Sequence, residues 1–175
     1  MHQEDYFGYS RKETFTVLQM PYIGHKVAMM ILLPHSLDGI GQLEDQISPG
    51  LFKKLHAGIK RTKVNVSLPK FRFEYEKTMK ETLQDLGLSK VFESNADLSG
   101  VNNKSLLYVS DVVHKAVIEV NETGSEAAAA TAVIAVGYCM MIEQIQKFIV
   151  DHPFLFVIYS LENYALLFLG KIKEL

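Results

Sequence analysis

The sequence predicts an α+β fold with large mixed or antiparallel sheets and only short helices. Apolar stretches of strand length, many of them alternating, recur along the chain and are cut by Pro and Gly, and no β-α-β alternation is present to indicate a doubly wound parallel sheet. At 175 residues, with 48% apolar and 22% charged residues, the chain suits one compact domain or part of a larger one. A net charge of −2 gives no basic excess to draw nucleic acid.

Residues 14–33 read as two strands joined by a turn at Tyr22–His25, with Pro34 closing the second. A strand pair this apolar requires cover on both faces. Residues 40–48 and 49–60 read as two short helices, opened by Leu37-Asp38-Gly39 and by Ser48-Pro49. Thr62 to Phe73 alternates again and reads as strand across Pro69. Thr78 to Leu86 reads as a helix with Leu83 and Leu86 inward and Gly87 as its stop. A long strand is expected within Leu106–Val120, and two more at Phe154–Ser160 and Ala165–Ile172, around a Leu161–Tyr164 turn.

Ala127 to Ile142 is a run of sixteen residues without a charge, entered from the polar stretch Asn121-Glu122-Thr123-Gly124-Ser125-Glu126. It is shorter than the about 20 apolar residues a membrane helix needs. Acidic flanks argue against a signal or anchor segment, and no signal peptide is visible at Met1-His2-Gln3-Glu4-Asp5. Alanine content favours a buried helix, whereas Gly124 and Gly137 at its borders weaken that reading, and a buried central strand stays open. Every second residue from Ser125 through Ala127, Ala129, Thr131 and Val133 to Ala135 is small or β-branched, a set that fits one face of a buried strand. Tyr138 and the single cysteine, Cys139, end the tract.

One cysteine excludes an intramolecular disulfide. His2, His25, His35, His56 and His152 show no metal-ligand spacing, and neither metal nor cofactor is expected. Asn65, Asn103 and Asn121 each open an N-glycosylation sequon, which leans towards a secreted, extracellular glycoprotein. Lys53, Lys54, Lys60, Arg61 and Lys63 form a basic cluster that reads either as a solvated helix face or as a weak glycosaminoglycan site.

Val113 to Ala132 (V-H-K-A-V-I-E-V-N-E-T-G-S-E-A-A-A-A-T-A) resembles the strand, hinge and proximal reactive loop of an inhibitory serpin. Asp151 to Ile158 (D-H-P-F-L-F-V-I), Ala96 to Val101 and Leu68 to Phe71 resemble serpin motifs in the same order. The resemblance covers essentially residues 1–175 and only the C-terminal half of a serpin domain, so the N-terminal helical half is expected to be absent from this chain.

The resemblance implies an inhibitor and not an enzyme. A protease cuts the exposed loop, and the loop then inserts into the large sheet before the acyl-enzyme is hydrolysed. It makes Glu122, Gly124, Ser125, Glu126, Ala127, Ala128, Ala129, Ala130 and Thr131 the hinge and the inserting segment. Family spacing, counted from Gly124, puts the reactive bond at Tyr138–Cys139. A tyrosine there suits the deep apolar pocket of chymotrypsin, cathepsin G or chymase-type proteases. Lys70 and Glu122 match an ion pair at the top of the large sheet, and His114 a histidine buried beneath it. Two alternatives remain: a non-inhibitory serpin serving as carrier, storage or chaperone protein, and an inactive fragment prone to strand exchange.

Overall fold

The computed structural model describes residues 1–101, 107–121 and 144–174. The chain forms two compact units, Met1–Phe71 with Asn121–Leu175, and Arg72–Val120.

The first unit is a seven-stranded sheet. Its strands are β1 (His2–Arg11), β2 (Phe15–Pro21), β3 (Val27–Pro34), β4 (Lys60–Ser67), β7 (Gln146–Ile149), β8 (Phe154–Ser160) and β9 (Leu166–Ile172), in the order β7-β4-β1-β2-β3-β8-β9. Neighbours run antiparallel except β4 and β7, which are parallel, so the sheet is mixed. The β2–β3 turn is closed by the Tyr22 N–H donating to the Val27 carbonyl at 2.9 Å. It reverses through two left-handed residues, Gly24 (φ 86°) and His25 (φ 52°).

Between β3 and β4 stand α1 (Ile40–Gln46) and α2 (Pro49–Ala57). Proline at the first helical position and the Ser48 hydroxyl, which accepts the Leu51 N–H at 3.2 Å, start α2 where the chain turns out of extended backbone. Leu43 of α1 and Leu55 of α2 pack with Phe15, Val17, Met30, Leu32, Leu155 and Val157. A buried leucine of this kind stabilises by about 2 kcal/mol. Seven of the eight residues of β3 are buried, as a strand covered on both faces must be.

The second unit carries a two-stranded sheet of β5 (Phe71–Thr78), whose first residue still belongs to the first unit, and β6 (Val113–Val120). Helix α3 (Lys80–Asp85) follows β5, and a 3-10 turn spans Lys90–Phe92. Gly87 (φ 92°) stops α3, with the Leu88 N–H reaching back to the Leu83 carbonyl at 2.9 Å. Asp97 accepts the Ser99 N–H at 3.1 Å, and its hydrogen bonds from Ser99 hold the carboxyl below its ordinary range.

Three expectations are corrected. The Thr62–Phe73 strand is broken at Leu68-Pro69, and its two parts join different sheets, because Pro69 cannot continue a ladder. The Leu106–Val120 strand is confined to β6, and Leu106 lies outside the described residues. Ahead of β6 the Val112 N–H turns to the Asp111 carboxylate at 2.7 Å and the Val112 carbonyl accepts the Met79 N–H at 2.8 Å. Those two bonds take the place of strand pairing. Leu86 does not face inward: it is 76% exposed, because the helix ends at Asp85 and Leu86 caps it with ψ 4°.

Candidate functional site

The candidate site is the segment between β6 and β7. Glu122, Gly124, Ser125, Glu126, Ala127, Ala128, Ala129, Ala130, Thr131, Tyr138 and Cys139 lie outside the described residues, as does the sequon residue Asn103. What is described is the framework on either side.

On the incoming side, β6 runs Val113-His114-Lys115-Ala116-Val117-Ile118-Glu119-Val120 and leads through the half-buried Asn121. Alternation is visible in its burial: Ala116, Ile118 and Val120 are half-buried, while Val113 and Val117 are exposed. The Lys115 ammonium lies 3.4 Å from Glu74 and 3.5 Å from Glu76 on β5, and Arg72 lies 3.0 Å from Glu74. These pairs are exposed, so each contributes under about 1 kcal/mol; they fix side-chain positions more than stability. Among the described strands β6 pairs with β5 alone. Its other edge offers a row of backbone donors and acceptors that one further strand could occupy.

On the outgoing side, β7 is four residues long and pairs in parallel with β4, Lys147 opposite Asn65 and Phe148 opposite Val66. Phe148 is buried and anchors the strand, and the Val150 N–H donates to the Ser67 carbonyl at 2.8 Å, extending the attachment. The segment is therefore held at its C-terminal end by a strand built into a large sheet.

Lys70 stands exposed between β4 and β5, and its expected partner Glu122 is among the residues not described. Within this chain His114 is exposed on β6. Asn65 is exposed on β4, and Asn121 is half-buried. Of the basic cluster, Lys53, Lys54, Lys60 and Arg61 are exposed. Lys63 pairs with Glu4 at 3.2 Å.

A partly buried polar network around Tyr159 was not legible in the sequence. The Tyr159 hydroxyl accepts from the Gln19 side-chain amide and lies 3.3 Å from His56 Nδ1, while the Tyr164 ring stands edge-on to His56 at 4.7 Å. Burial raises the Tyr159 pKa above its ordinary value; the Gln19 hydrogen bond opposes that shift and Tyr164 adds to it. The members come from β2, α2, β8 and the β8–β9 turn, so no local spacing signals them. Among the described residues no group of three or more His, Cys, Asp or Glu could hold a metal ion. No described helix is long and apolar enough to cross a membrane.

Comparison with known proteins agrees with this framework. The family model described as "Serpin (serine protease inhibitor)" matches residues 1–175. Iris from Ixodes ricinus is 41% identical over 178 residues, covering all of this chain and 47% of that protein. Intracellular coagulation inhibitor 2 from Tachypleus tridentatus is 38% identical, over 91% of this chain and 39% of that one. A crystal structure of uncleaved ovalbumin superposes with a TM-score of 0.80 at 28% identity, over 98% of this chain and 43% of ovalbumin. The chain spans about half the length of the curated relatives it matches.

Proposed function

Because this chain belongs to the serpin family, we propose that the protein carrying it is a serine protease inhibitor that works as a suicide substrate. The protease cleaves the loop between β6 and β7 at Tyr138–Cys139. The freed N-terminal part of the loop, from Gly124 onward, then adds as a strand beside β6 before the acyl-enzyme is hydrolysed. Small and β-branched residues at alternate positions from Ser125 to Ala135 let that strand enter a sheet interior, and Glu126 falls on the opposite, wet face. The observation that supports this most is β6 itself. It has one described partner, it alternates in burial, and it runs directly into the small-residue segment.

Tyr138 makes the targets chymotrypsin-like enzymes of the chymotrypsin, cathepsin G or chymase type. Lys70 and Glu122 pair where the loop enters, and His114 is covered by residues from the remainder of the domain. The protein acts outside the cell, a reading supported by the three sequons at Asn65, Asn103 and Asn121. A sulfated glycosaminoglycan is a weaker second partner, held by the basic segment from Lys53 to Lys63.

Incubating the protein carrying this chain with chymotrypsin, followed by denaturing electrophoresis, tests the reading. A stable band at the summed mass is expected, and Tyr138→Arg should transfer it from chymotrypsin to trypsin. Cleavage without that band would identify a non-inhibitory serpin instead.

A second reading has its own observation. On β9, at one edge of the sheet, Leu166, Leu167, Phe168 and Leu169 are each between 42% and 55% exposed. Four consecutive apolar residues open on an edge strand favour strand exchange if these residues are produced alone.

A further inference from the structure

In the order β7-β4-β1-β2-β3-β8-β9, β7 and β8 are five strand spacings apart, about 24 Å if the sheet were flat. The connector from Ile149 to Phe154 reaches only about 18 Å at full stretch. The sheet therefore curls. The strand that allows it is β1, which pairs with β4 through His2–Tyr9 and with β2 only through Gly8–Arg11. The connector is bonded to both sides of that curl. The Val150 N–H donates to the Ser67 carbonyl at the end of β4 at 2.8 Å, and His152 Nε2 lies 2.7 Å from the Pro34 carbonyl at the end of β3. A carbonyl can only accept, so Nε2 is the donor. Asp151 sits 2.6 Å from Nδ1; at 68% exposure it orients the ring more than it stabilises the pair. The His152 side chain itself is 12% exposed.

The main chain could not make this bond. β8 pairs with β3 as far as Leu155 on Leu32, and two further steps of that register would set Pro34 opposite Pro153, which has no N–H. The ring of the preceding residue supplies the donor instead. Its acceptor is firmly placed: Pro34 faces Phe15 on β2, the His35 N–H donates to the Thr14 carbonyl at 2.8 Å, and the His35 ring lies 3.0 Å from Thr16 Oγ1. β7, in contrast, is four residues long, stands at the edge of the sheet and has one parallel neighbour. On the inhibitor reading, an uncut loop is one covalent piece from β6 to β7. Each residue it adds as strand beside β6 shortens what is left to reach β7, so insertion without cleavage pulls on β7. Resting on that reading, we propose that His152 is a positioning residue of the inhibitor: it clasps the β7–β8 connector to β3, keeps β7 seated, and so keeps the uncut loop out of the sheet. Cleavage removes the pull, because the inserting part is then no longer tied to β7. The clasp thus restrains the uncut form alone.

The test uses the protein carrying this chain. Freshly prepared His152→Ala should form the chymotrypsin band in the same yield as the unmutated protein. On warming without protease, its trapping activity should decay about tenfold faster, because a bond that holds only the seated form is lost. The inactive material should be uncut by mass spectrometry and more heat-stable than the active form. His152→Gln, whose side-chain amide can still donate to the Pro34 carbonyl, should decay within about threefold of the unmutated rate. Hydrogen exchange at the Val150 amide should be about tenfold faster in His152→Ala and close to normal in His152→Gln. Ile158→Val, which loosens β8 away from the connector, should lower the urea midpoint without hastening the decay. Decay of His152→Ala at the unmutated rate, decay of His152→Gln as fast as His152→Ala, or equal hastening by Ile158→Val would each overturn the proposal. Unchanged Val150 exchange in His152→Ala would overturn the clasp whatever the trapping result. No trapping by fresh unmutated protein would overturn the inhibitor reading and the role built on it, with Val150 exchange still separating a working clasp from an absent one.

Discussion

Gly170 on β9 stands directly opposite Phe156 on β8, and a methyl group at position 170 would come 2.4 Å from two carbons of that ring. Phe156 cannot retreat easily: it is 1% exposed, and the Phe71 ring lies against it at 5.9 Å. In the protein carrying this chain, Gly170→Ala should destabilise by about 1–3 kcal/mol through overpacking, read as a lower urea midpoint at unchanged slope. An unchanged midpoint would show that β9 can shift away from β8.

Tyr159→Phe removes the hydroxyl that Gln19 and His56 share, leaving two half-buried polar groups short of a partner. A loss of about 1 kcal/mol at neutral pH is expected. Burial raises the Tyr159 pKa in the fold, so the neutral form is favoured there. That contribution is fully present below the ordinary tyrosine pKa of about 10 and is lost as pH rises through the raised folded value. Denaturant titrations of both proteins at neutral and strongly alkaline pH should therefore converge at the alkaline end. A constant difference would mean that the hydroxyl does not ionise differently in the fold.

Ala127→Glu or Thr131→Arg should leave cleavage at Tyr138 intact and abolish trapping. In the proposed insertion, each places an unpartnered charge on the inserting face, at a cost of several kcal/mol that falls on insertion and not on recognition. The variants should release active protease after being cut, and the cleaved forms should show little gain in heat stability. Glu126→Lys, on the wet face, should do far less. Trapping by Ala127→Glu at the rate of the unmutated protein would refute insertion along this face.

Residues 1–175 produced alone should self-associate. Leu167→Lys with Phe168→Glu, on the exposed strand β9, should shift the material towards monomer in size-exclusion chromatography. Persistent association of that variant would point to another edge.

Much of the architecture is local enough to read from residues. The β2–β3 and β8–β9 pairs are hairpins of apolar strands around turns with left-handed residues, Gly24 and His25 in one and Tyr164 (φ 59°) in the other. The hinge motif and the tract that follows it are equally a matter of sequence. By contrast β1 and β7 gave no strand signal. The ten residues of β1, H-Q-E-D-Y-F-G-Y-S-R, are mostly polar and bury only Phe7 fully, because much of one face lies open to solvent. Four-residue β7 is a strand because β4 lies alongside it, about eighty residues earlier in the chain.

The sequence by itself determined the α+β class, the α1–α2 pair, the hairpins and membership of the serpin family, because each rests on short-range periodicity, turn chemistry or a contiguous motif. Only the tertiary structure decided the order β7-β4-β1-β2-β3-β8-β9, the Leu32–Leu155 register of β3 on β8, and the meeting of Gln19, His56 and Tyr159. It also set Lys147 of β7 beside Asn65 of β4, eighty-two residues earlier in the chain. These relationships join residues far apart in the chain. The free energy that selects among such pairings comes from the burial of whole faces, which no single segment contains.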